Sequence, residues 1–85
     1  MEIYVYDTYV KARDNHTMHF DVITEKRDSD KAVEFAKKWL VSVGEKDVIV
    51  TLAECQFCHS QNSIGPVEQS IKRKGFFIQK MEGCL

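Results

Sequence analysis

Apolar and polar residues alternate over Thr17–Thr24, where Met18, Phe20 and Val22 interleave with His19 and Asp21. A period of two predicts a half-buried strand. Residues 2–10 are rich in tyrosine and valine, which also favours a strand. Between them, residues 11–16 carry Asp14-Asn15, and both side chains tolerate left-handed backbone and bond their own main chain. The two strands are expected to form an antiparallel hairpin. After Asp28 the period lengthens. Ala32, Val33, Ala36, Trp39, Leu40 and Val43 form one stripe of a helix, with Lys31, Glu34, Lys37 and Lys38 on the other side. Asp28, Ser29 and Asp30 can each cap its start, and Gly44 suits its end. Trp39 offers the largest apolar area and is expected to anchor this helix to the sheet.

Residues 48–53 are almost continuously apolar between Asp47 and Glu54, the pattern of a central strand covered on both faces. Pro66 suits the first turn of a second helix, with Gly65 before it and Glu68 in the turn that favours negative charge. Val67 and Ile71 give that helix its buried side, Gly75 ends it, and residues 76–81 read as a last strand. The expected fold is a single α+β domain over residues 1–85. Its order is β-β-α-β-α-β, a four-stranded mixed sheet with two helices packed on one face.

Composition narrows the function classes. The hydrophobic fraction of 44% is that of a folded domain, not of a disordered chain. A net charge of −1 gives no long-range field to gather nucleic acid or an anionic membrane, and opposes a homodimer only weakly. The N-terminal residues show no basic leader and no long apolar core, so the expected location is the cytoplasm, where thiols stay reduced. No phosphate-cradling glycine loop, nucleophile elbow or carboxylate dyad stands out, and an enzyme built on a recognised motif is not expected.

The chemistry concentrates in Cys55-Gln56-Phe57-Cys58-His59 and in Cys84 near the C-terminus. Two thiols two residues apart can chelate one metal ion or close a small disulfide. Zinc prefers four tetrahedral thiolate and imidazole ligands. Cys55 and Cys58 would supply two, Cys84 a third, and His59, His16, His19 or water the fourth. Against this, zinc ribbons show two such cysteine pairs, and adjacent Cys58 and His59 are expected to point in different directions. Thiol redox chemistry is an alternative, weakened because Pro66 starts its helix well past Cys58. The literal C-x-x-C-H pattern also matches covalent haem attachment, which belongs to exported proteins. The plainest alternative is a structural or protein-interaction domain with inert, buried cysteines, as a homodimer that buries the tyrosine strand.

Other side chains carry weaker signals. His19 and Asp21 share one strand face, with Thr8 expected opposite Asp21. Such a pair can act as a base or an oriented ligand, and more often is a hydrogen-bonded surface pair. Asp7, between Tyr6 and Thr8, is either on the wet face or held by a buried partner. Tyr4, Tyr6 and Tyr9 could stack on bases, but tyrosine is simply a favoured strand residue, and the short basic clusters read as solvated faces.

Four segments together resemble one family. They are Tyr4-Val5-Tyr6-Asp7-Thr8-Tyr9-Val10, Met18-His19-Phe20-Asp21-Val22, Glu54-Cys55-Gln56-Phe57-Cys58-His59-Ser60 and Lys80-Met81-Glu82-Gly83-Cys84. They are similar to short bacterial proteins described as domain of unknown function number twenty twenty-four, over essentially the whole chain. The resemblance implies a compact single-domain α+β protein. It carries over no catalytic residue, and it places Cys55, Cys58, His59 and Cys84 within the family's patterned segments.

Overall fold

The computed structural model describes residues 1–12, 14–45, 47–62 and 65–81. The elements run β1 (Glu2–Lys11), β2 (Thr17–Thr24), α1 (Ser29–Ser42), β3 (Cys55–Asn62), α2 (Pro66–Lys74) and β4 (Phe76–Lys80). This is the β-β-α-β-α-β order of an α+β fold. The sheet order is β3-β1-β2-β4, and every neighbouring pair is antiparallel, so the expected mixed sheet is corrected. In the β1–β2 turn Asn15 takes φ 72°, the left-handed conformation that its short amide side chain tolerates.

The sheet buries apolar side chains on both faces. Even-numbered β1 and β2 residues, among them Tyr6, Val10, Phe20 and Val22, pack against Ala32, Val33, Ala36 and Leu40 of α1. Trp39 joins this layer, its ring centroid 4.6 Å from that of Phe20. Odd-numbered Ile3, Val5 and Ile23 form a second layer with Ile71, Val67 and Phe77. The helices therefore lie on opposite faces, correcting the expectation of a shared one. The reason is legible in β1, where apolar residues occupy both parities and neither face can stay wet.

Residues 48–53, expected as a central strand, form no strand. Val50 is buried, but Ile49 and Leu52 face solvent. Glu54 Oε1 accepts hydrogen bonds from the backbone N–H (2.8 Å) and the hydroxyl (2.7 Å) of Thr51, closing a turn that competes with a sheet ladder. The third strand is instead the polar segment Cys55–Asn62, an edge strand on β1, where one solvated side tolerates polar side chains.

These placements predict contrasting costs. Leu40→Ala should lower unfolding free energy by about 2–5 kcal/mol in urea. Ile49→Ala should change it by less than about 0.5 kcal/mol. A comparable loss at both sites would restore the strand over residues 48–53.

Candidate metal centre

α2 is nine residues long and covers only one end of its face of the sheet, over Ile3, Val5, Ile23 and Phe77. Beyond it the odd-numbered positions of β1 and β2 continue as Asp7, Tyr9, His19 and Asp21. The register sets Asp7 directly opposite Asp21, and Tyr9 opposite His19. Thr8 pairs with Phe20, so the expectation that Thr8 faces Asp21 is off by one residue, and that slip moves it to the other face.

His19 Nε2 lies 3.8 Å from Asp7 Oδ1 and 3.8 Å from Asp21 Oδ1. One donor atom from each of the three residues falls within 4.8 Å of the others. The Tyr9 ring stacks on the imidazole at 4.0 Å and 10°, which fixes its plane. The side chains of His19 and Asp21 are only 19% and 14% exposed, whereas Asp7 is 40% exposed, so the cluster is shielded from below and open on the Asp7 side. A depression of about 370 Å³ lined by Asp7, Tyr9, Ala53, Glu54, Gln56 and Phe57 opens there.

Electrostatics mark the cluster as short of positive charge. Asp21 Oδ1 is shut off from solvent and meets no hydrogen-bond donor among the described residues. Desolvation, then the hydrogen bond and charge of Asp7, push the Asp21 carboxyl up to about 6. Asp7 moves the other way, lowered first by its hydrogen bond with Asp21 and then, beyond its own desolvation, by Cys58 and His19. The two carboxyls are thus driven apart in acidity, with Asp21 holding its proton the more tightly.

The four residues expected as metal ligands are not all brought together. Cys55 stands opposite Thr8 and is buried in the α1-side core, where desolvation raises its thiol pKa. Cys58 is exposed on the opposite face, and both thiols are free. A strand sends residues three apart to opposite faces, so the pair neither chelates nor closes across the sheet here. Cys84 lies outside the described residues. Cys58 and His59 are brought together, against the expectation that they diverge. The β1–β3 register pairs Tyr6 with Phe57 and Val5 with His59, leaving Cys58 as the extra residue of a β-bulge. Both side chains consequently point to the α2 face, with His59 Nδ1 3.1 Å from Cys58 Sγ and His59 Nε2 2.9 Å from Gln61 Oε1. Cys58 shares the sheet face of Asp7, two residues along β3 from its partner Gln56, and its thiol is raised by desolvation, then by Asp7 and Asp21. His16, weighed as a fourth ligand, bonds Asp14 in the exposed hairpin turn.

Asp7 and Asp21 are the site residues that motif reading passed over. Their signal was the shared parity of His19 and Asp21, together with a carboxylate in an otherwise apolar strand. What sequence could not supply was the register that sets Asp7 against Asp21.

The Asp21 carboxyl binds its proton more tightly folded than unfolded, with a pKa of about 6 against 3.8. Its stabilising contribution is thus fully present below the unfolded value and lost as pH rises through about 6, partly offset by the lowered Asp7. Asp21→Asn should therefore stabilise the metal-free protein at pH 7 by about 1–2 kcal/mol, with the gain fading as pH falls from about 6 to about 4. Urea titrations of both proteins across that range check it, and a destabilised variant at pH 7 would contradict it.

No helix among the described residues is long and apolar enough to cross a membrane. No curated protein matches the chain. The NMR structure of protein NE1680 from Nitrosomonas europaea is similar over all of both chains, with 59% identity and a TM-score of 0.90. A profile described as Domain of unknown function (DUF2024) matches residues 1–81. The chain thus belongs to the DUF2024 family.

Proposed function

We propose that this protein is a small metal-binding module that holds one divalent transition-metal ion, zinc first among them, through Asp7, His19 and Asp21. The observation that carries the reading is the orphaned Asp21 Oδ1, buried and facing Asp7 and His19. Two carboxylates held together in a partly dry site repel each other, and a cation between them removes both that repulsion and the missing hydrogen bond. One imidazole and two carboxylate oxygens form a donor set that zinc accepts, and three protein ligands leave a coordination position open. The Tyr9 ring acts as the outer support that keeps the imidazole in place.

This keeps the metal reading drawn from the sequence but moves its centre from the cysteine pair to the middle of the sheet. Cys55 is left out of the ligand set because its sulfur packs in the opposite core. The same separation removes support from a disulfide-cycling role, as does the raised pKa of Cys58.

Protein purified without chelator should carry about one zinc per chain by elemental analysis, or take it up in calorimetry. His19→Ala and Asp21→Asn should each weaken zinc binding by more than the about 10–100-fold typical of changes outside the ligand shell. Asp14→Asn, in the hairpin turn, should leave it unchanged. Zinc at about 100 times its dissociation constant should add about 2.7 kcal/mol to unfolding free energy. Equal binding by wild type, His19→Ala and Asp21→Asn would overturn this reading.

A further inference from the structure

Three protein donors leave a zinc ion one short of its usual four, and the bulge in β3 sets a sulfur beside them. We propose that Cys58 is the fourth ligand, which makes the centre a mixed sulfur, nitrogen and oxygen site selective for thiophilic cations such as zinc, cobalt(II) and cadmium over magnesium and calcium. This rests on the metal reading above and specifies the class of ion that the site takes.

Three observations carry it. First, Cys58 lies two residues along β3 from Gln56, the partner of Asp7, so the thiol is on the sheet face of the three-residue cluster and a turn of its side chain carries Sγ toward it. Second, the bulge is what presents it with His59 alongside. Plain alternation after Phe57 would send His59 into the α1-side core, whereas the extra residue turns it outward onto Sγ. Third, the hydrogen bonds around the thiol suit a change of state. Gln61 Oε1 can only accept, so it takes the proton on His59 Nε2, and neutral His59 then accepts the thiol proton at Nδ1. When a metal–sulfur bond forms, the thiol proton leaves to solvent and Sγ becomes an acceptor. His59 can follow by moving its own proton to Nδ1, and Gln61 by turning its amide so that NH₂ faces Nε2. A thiolate ligand thereby gains a donor from a residue that already touches it, the outer-sphere support that metal-bound groups generally have.

A soft sulfur donor discriminates among ions in a way that carboxylates do not. Magnesium and calcium seek oxygen ligands, whereas thiolate favours zinc and its neighbours. Cys58 is exposed, so its replacement leaves the core intact.

Cobalt(II) titration read by absorption separates the sulfur ligand from the three-residue site. Wild-type protein should show tetrahedral d–d bands together with a thiolate-to-cobalt charge-transfer band. Cys58→Ser should lose the charge-transfer band, retain cobalt binding and weaken zinc binding about 10–100-fold, while manganese binding changes less than about threefold. Cys55→Ser and Cys84→Ser should keep the band. Cobalt bound without a charge-transfer band would overturn the sulfur ligand and leave the three-residue site standing. A band that survives in Cys58→Ser and vanishes in Cys84→Ser would also overturn it, by assigning the sulfur to the tail. Failure of every variant, wild type included, to bind cobalt or zinc would remove the metal reading itself.

Discussion

Asp7 and Asp21 face each other across the two central strands, and this like-charge pair is the constraint around which the open half of the sheet is arranged. Like charges directly opposite in a sheet are unfavourable, and partial burial adds to the cost. The fold meets that cost only in part, by bringing the imidazole of His19 within 3.8 Å of each carboxylate. The pair persists because the positions around it are fixed independently. Apolar neighbours at even positions lock the register, and a one-residue slip of either strand would drive its aspartate into the α1-side core. A site that is costly and over-determined at once is where local strain tends to serve a function.

Architecture decides where that site can exist. A sheet with apolar residues on both faces needs cover on both, and α1 with its fourteen residues supplies it on one side. α2 is shorter, and its apolar contacts end at Val5, Ile23 and Phe77. Past that boundary the same face turns polar, with Tyr9 stacked on His19 as a partial roof. The transition from packed core to ligand cluster takes two residues along β1, from Val5 to Asp7. Rigid central strands position these side chains better than a loop would.

The hairpin over β1 and β2, the capped first helix and the proline-started second helix could all be read from local pattern, because each depends on residues close in sequence. Asp28 caps α1 by accepting from Lys31 N–H, and Gly75 ends α2 at φ 94°. Strand identity in the middle of the chain was not legible in this way. Residues 48–53 have the composition of a buried strand, yet the Thr51–Glu54 turn takes their backbone, and a polar segment pairs with β1 instead. The candidate site was half legible. His19 and Asp21 share parity in any strand, but the approach of Asp7 needs the register, and the pairing of Cys58 with His59 needs a bulge. The C-x-x-C spacing misled for the same reason, since its meaning in a loop differs from its meaning in a strand.

The central claim is that the sheet centre, and not the cysteine pair, receives a cation. Histidine ring nitrogens report this directly by NMR, through two-bond nitrogen–proton correlations recorded on isotope-labelled protein during a zinc titration. The His19 Nε2 signal should shift to a metal-bound position as zinc approaches one equivalent per chain, while the His16 ring nitrogens stay where they were. An unmoved His19 signal at saturating zinc would contradict it.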